Sequence, residues 1–142
     1  MQHHNNQVEF RYAGLDEAFP PCDPGVEPLG SRVMLQVRSA KKVTAGGIWI
    51  PPEAQDTEQA NTQVAKVVAV GALAFRNRGT AEPWVEGAWA QVGEFVRIPR
   101  YGGDRWHIKT ADGESQALFV IFNDTDLVAK VTGDPLAIKA FL

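Results

Sequence analysis

Gly46-Gly47-Ile48-Trp49-Ile50-Pro51 places three large apolar residues between a glycine pair and a proline pair, Pro51 and Pro52. Outward on one side lie Ser39, Lys41, Lys42 and Thr44; on the other lie Glu53, Gln55, Asp56, Thr57, Glu58, Gln59, Asn61, Thr62 and Gln63. The triplet thus rides on a polar, turn-rich segment from about Ser39 to Gln63, too polar to bury itself on a core. An apolar patch on such a carrier is a candidate for burial against a partner. Gly46 and Gly47 suit a turn with positive φ or a close backbone approach. Pro51 favours an extended or turn-bound form over a helix. Periodicity alone also allows Ile48 to Ile50 to be an ordinary core strand after a Gly-Gly turn.

Strand patterns flank this segment. Val33, Leu35 and Val37 alternate with Met34, Gln36 and Arg38, the period of a half-buried strand. Beyond the polar stretch, Val64, Val67, Val68 and Val70 form a β-branched run stopped by Gly71. A third strand is expected at Phe95, Val96 and Ile98, a fourth at Trp106 to Lys109, and a fifth at Ala117 to Phe122. The fifth is unbroken in its apolarity, as for a strand buried on both sides. Asn123-Asp124 ends it, and a last strand is expected over Asp126 to Val131. Many short strands with glycine turns predict an all-β barrel or sandwich.

Residues 1–27 contain Pro20-Pro21, Pro24 and Gly25 and read as an extended or partly ordered N-terminal arm. The tail, 132–142, is expected as a short helix or an extended arm. The barrel domain is expected over 28–131. Within it, about 72–90 lack a clear period, long for a simple connection. That stretch predicts an excursion, a hairpin or lobe, stapled by Phe75, Trp84 and Trp89.

The chain has 142 residues, 44% hydrophobic and 22% charged, and a formal net charge of −3. That length suits one domain with a real core, and the charge does not favour nucleic acid or anionic membrane. The single cysteine, Cys22, makes no internal disulfide and no zinc site, and points to a reducing compartment. No run approaches the roughly 20 apolar residues of a membrane span, and Met1 to Gln7 lack the pattern of a signal peptide. A cytoplasmic location is expected.

Other constellations favour structure over chemistry. His3-His4 is expected to be solvent-exposed and inert. No Ser or Cys nucleophile stands at a base spacing from His107. Asp124 and Asp126 suit a turn and a strand start. Arg97, Arg100, Tyr101, Arg105 and Trp106 form a basic-aromatic cluster that would suit a β-barrel single-strand nucleic-acid-binding module. The expectation preferred here is that Tyr101 and Trp106 pack on the barrel while the arginines face water or a neighbouring subunit. No phosphate-cradling glycine loop is present, so no nucleotide hydrolysis and no cofactor are expected.

Taken in order, these landmarks resemble the GroES-type co-chaperonins. Pro28-Leu29-Gly30-Ser31-Arg32-Val33 is similar to the family's opening strand. Ala45-Gly46-Gly47-Ile48-Trp49-Ile50 looks like its mobile loop with the apolar tripeptide, and Val64 to Gly71 like the strand after the loop. Val92-Gly93-Glu94-Phe95-Val96 resembles its later Val-Gly-Asp strand start, and Asn123 to Ala129 its closing strand. The likeness covers about Pro28 to Val131. Ser31 stands where the family commonly has an acidic residue, and Trp49 where it has a small aliphatic. The 72–90 excursion is not expected to align with the family's roof hairpin, and the terminal arms have no counterpart in the common bacterial lids. The pattern resembles a divergent lid of the kind bacteriophages carry.

The resemblance implies a partly open β-barrel that assembles into a ring of seven, first and last strands of neighbours pairing around it. It implies no catalysis of its own. The ring would cap an ATP-driven, GroEL-type double-ring chaperonin and enclose a chamber where a client chain folds. The mobile loop, about 39–63, would dock through Ile48, Trp49 and Ile50, with Gly46 and Gly47 shaping the turn. Zinc alcohol dehydrogenases use a similar barrel but need clustered Cys and His ligands and a following dinucleotide domain, which one cysteine and this length do not provide.

Overall fold

A computed structural model describes residues 14–40, 47–111, 113 and 116–139. Among the described residues six strands form, β1 (Arg32–Val37), β2 (Val64–Val70), β3 (Phe95–Arg97), β4 (Asp104–Lys109), β5 (Gln116–Asn123) and β6 (Ala129–Lys130). They make one sheet in the order β4-β5-β1-β2-β3-β6, every pair antiparallel. Two helices, α1 (Leu15–Ala18) and α2 (Pro52–Asn61), and one 3₁₀ turn (Asp124–Asp126) complete the elements. The fold is all-β in its core, as the strand periods predict.

Register explains the core. Leu35 lies opposite Val67 on one side and Val120 on the other, and Val37 lies opposite Ala65 and Leu118. These side chains share one face and form the main cluster with Val96, Ile98 and Phe122. The β1–β2 register steps between Met34 and Leu35, leaving Val68 as an extra residue. Such a bulge sharpens strand twist and helps the sheet curl around its contents. The 72–90 stretch fills the open side. Ala74, Phe75 and Ala90 are buried in the cluster, with Trp84 and Trp89 packed on it. Phe75, Trp84 and Trp89 stack edge to face in series, at 5.5 and 4.9 Å between ring centres, a geometry that suits aromatic quadrupoles. An isolated bridge pairs Arg76 with Pro83, and Asn77 Oδ1 accepts from the amides of Gly79 and Thr80 at 2.8 and 3.1 Å, closing the tip.

β1 differs from the half-buried strand that its alternation predicts. Met34 and Gln36 on its second face are buried too. The cause is the N-terminal segment, which straps that face. Gln36 Nε2 donates to Pro20 O at 2.8 Å and Trp106 Nε1 to Pro24 O at 3.1 Å. Trp106, Phe119 and Gln36 are cross-strand neighbours by register, so the strap runs over β1, β5 and β4. The closing strand is also shorter than expected. Asn123 and Asp126 form a reciprocal capping box around the 3₁₀ turn, which takes Asp126, the first residue of the expected strand.

The polar stretch after the triplet departs most from expectation. Pro51 caps α2 and Pro52 occupies its first turn. Proline there lacks only an amide that a helix start leaves unbonded, and its φ is already helical. The prolines therefore open a helix instead of preventing one. The stretch is also not wholly detached from the core. Glu58 and Thr62 are buried, and Thr62 Oγ1 donates to Glu58 O at 2.8 Å.

Candidate functional site

Between β1 and β2 the chain leaves the sheet and returns. Its two roots are joined, the Arg38 amide donating to Val64 O at 3.0 Å. Residues 41–46, Gly46 among them, lie outside the described residues. Gly47 has φ 85°, a left-handed conformation that glycine adopts without strain.

The triplet that follows is divided. Ile48 is 66% exposed and Trp49 71%, whereas Ile50 is 7% exposed. Gln55 Nε2, one turn into α2, donates to Ile50 O at 2.7 Å, and the Gln55 amide donates to Pro51 O at 3.0 Å. The helix thus fixes the descending end of the triplet and leaves its first two side chains to solvent. Gln63 Nε2, donating to Ile98 O at 3.1 Å, ties the far end of α2 to the sheet. Sequence reasoning grouped Ile48, Trp49 and Ile50 as equals. The Pro51-Pro52 pair was the signal that could have separated Ile50, because a helix start beside it seats the residue just before.

In the basic-aromatic cluster, Trp106 and Arg105 are engaged in packing on the sheet. Trp106 is stacked on Phe119 at 5.8 Å and bonded to the strap. Arg105 lies over the Phe122 ring at 5.8 Å and donates through Nε to Gly102 O at 2.9 Å; burial lowers its pKa. Arg100 lies 5.2 Å from the Tyr101 ring centre. Tyr101, expected to pack on the barrel, is 74% exposed, because it sits on the Tyr101-Gly102-Gly103 turn ahead of β4. His107 is exposed on β4, and His3-His4 lies outside the described residues. Asp124 is a structural acceptor. It is buried, and its Oδ2 takes the Phe75 amide at 2.9 Å. Among the described residues no three His, Cys, Asp or Glu side chains group to hold a metal, and no helix is long and apolar enough to cross a membrane.

With this geometry in place, comparison with known proteins decides the family. The family described as the chaperonin 10 kDa subunit matches residues 25–131. The chain belongs to the chaperonin 10 kDa family. The match takes in the 72–90 excursion, which the sequence reading set apart from the family's pattern. A co-chaperonin GroES of Methylacidiphilum infernorum is 35% identical over 111 residues, 78% of this chain and 98% of the relative. A mitochondrial 10 kDa heat shock protein of Oryzias latipes is 32% identical over 103 residues, 72% of this chain and 90% of the relative. A co-chaperonin GroES of Syntrophomonas wolfei is 30% identical over 107 residues, covering 75% and 97%. The chain is a GroES-type co-chaperonin by this membership, and the chaperonin 10 kDa family is not one of enzymes.

Proposed function

We propose that the protein caps a GroEL-type, ATP-driven double-ring chaperonin in the cytoplasm, as a homo-oligomeric ring of seven, and encloses a chamber for a folding client. The observation that carries this reading is the exposed Ile48-Trp49 pair, held between Gly47 and α2 in a member of the chaperonin 10 kDa family. Ile48 and Trp49 are the contact pair. Ile50 is the anchor that sets where they stand, and Gly46 and Gly47 give the approach to them. The chain itself carries out no catalysis.

The energetics suit a lid that must leave every cycle. Burying one large apolar side chain contributes roughly 1.5–3 kcal/mol, so the pair supplies several kcal/mol per copy. Fixing backbone opposes this at about 1–2 kcal/mol per residue ordered. One copy therefore binds weakly, while a ring binds through effective concentration. A small loss per copy, when the chaperonin changes shape, is multiplied around the ring and releases it.

Ring formation has its own support. β6 is an edge strand among the described residues, and a groove of about 310 Å3 runs along it, lined by Trp89, Val96, Leu127 and Val128 together with Glu86 and Lys130. Leu29, before β1, is 72% exposed and is an apolar side chain available to an interface between copies. The test is native mass, alone and with a GroEL-type chaperonin plus ATP. We expect a multiple of 15.5 kDa near seven that moves onto the chaperonin peak with ATP. A protein that stays a monomer, or never joins that peak, would refute the proposal.

A further inference from the structure

We infer that the two terminal segments form a clasp that positions the docking segment by holding both of its roots. This rests on the docking reading above for its purpose, but not for its geometry. The segments in question, 14–24 and 132–139, lie outside the residues matched by the family. They nonetheless meet on the barrel. Ala18 and Phe19 are buried with Val64 in a second apolar cluster, against which Phe95, Leu136 and Ile138 pack. The Phe19 and Phe95 rings stand 5.1 Å apart.

This cluster lies at the point where the docking segment begins and ends. On the ascending root, the Ser39 amide donates to Ala18 O at 2.7 Å, and Ser39 Oγ donates to Glu17 O at 2.6 Å. One residue earlier, the fully buried Arg38 donates through Nη1 to Pro135 O at 2.8 Å. On the descending root, Val64 is itself a member of the cluster. The N-terminal segment thus grips one root by hydrogen bonds and the other by apolar contact, and the C-terminal segment closes over both. The opposite end of the span is fixed at Ile50 by burial and by Gln55. Ser39 and Ile50 are thus both held on the barrel, where composition suggested a polar segment detached from the core over 39–63. Roots that are already held have less freedom to lose on docking, so the clasp favours binding without touching the partner. Phe19, Ser39 and Leu136 are positioning residues in this sense.

The test uses the full-length ring and two readouts. In Phe19→Ala, hydrogen exchange should quicken about tenfold or more at the Arg38, Ser39 and Thr62 to Val64 amides, while β1 and β5 amides keep their protection. Affinity for a GroEL-type chaperonin with ATP should fall at least about tenfold, because the loss repeats in every copy. Phe19→Leu should restore most of both. If Phe19→Ala does not fold, Leu136→Ala and Ser39→Ala probe the same clasp from the other segment and from the root. Unchanged exchange at the roots in the folded variants overturns the clasp. A uniform rise across the sheet reduces it to general stability and overturns it equally. Faster root exchange with undiminished affinity overturns its positioning role. If the unaltered ring fails to bind chaperonin, the docking reading falls instead, and root exchange alone still decides whether the clasp holds.

Discussion

Ile48 and Ile50 are two residues apart and differ in what their loss should do. Ile48 is exposed and Ile50 buried. Ile48→Ser should change subunit stability by less than about 0.5 kcal/mol, the usual range at the surface, while abolishing chaperonin capping. Ile50→Ala should cost about 2 kcal/mol or more, as buried aliphatic truncations do. Urea unfolding beside a client-refolding assay separates the two, and refolding that survives Ile48→Ser would remove the docking assignment. Asp124 carries a prediction of another kind. Its carboxylate holds the Phe75 amide at 2.9 Å, and Phe75 has φ 60°, a conformation that non-glycine residues rarely take. Asp124→Ala leaves a buried donor unpaired and should cost about 1–3 kcal/mol, read as a lowered urea midpoint. The sequence marked Asp124 as a turn former, which is correct as far as it goes. Its distant partner was invisible, because nothing local links positions 49 residues apart.

At the scale of elements, β6 is two residues long and depends on few contacts. One of them is the ion pair between Lys130 Nζ and Glu94 Oε2 at 2.9 Å, linking β6 to the approach to β3. The bond from Lys130, then the Gln91 amide, holds the Glu94 carboxyl below its ordinary pKa. A depressed carboxyl stabilises the fold above its unfolded-state pKa and loses that contribution as pH falls through the folded-state value. The β3–β6 edge should therefore loosen in acid, below the ordinary glutamate range. Exchange at the Val131 amide, which donates to Phe95 O, should rise there, and Lys130→Gln should flatten that response. The strands themselves were legible because a period of two survives in Val33-Leu35-Val37 and because valine runs end at glycines. α2 was not. Its residues are polar apart from Pro52, Ala54 and Ala60, so no apolar stripe announces a helix, and Pro51-Pro52 reads as a breaker unless its place at a helix start is considered.

At the scale of the molecule, Trp49 makes the docking reading measurable in solution. It is 71% exposed, while Trp84, Trp89 and Trp106 are partly buried in packed positions. An added quencher such as iodide should reach Trp49 first, and Trp49→Phe should remove most of the accessible emission. Mixing with chaperonin and ATP should protect that fraction. A quenchable signal unchanged by the mixture would argue that Trp49 stays in water. The succession of strands along the chain and the family were legible from landmarks strung along it. How the terminal segments pack was not, since prolines at 20, 21 and 24 look alike whether they lie on a sheet or trail in solvent.

The outer margin of β4 meets no other strand among the described residues, and its sequence is Asp104-Arg105-Trp106-His107-Ile108-Lys109. A strand margin without a partner strand is a template on which stray chains can stack. Here acidic and basic side chains at both ends of the strand oppose such stacking, with a histidine between them. Replacing Asp104 and Lys109 with valine should leave the core residues in place and raise the tendency to aggregate, read as light scattering on concentration.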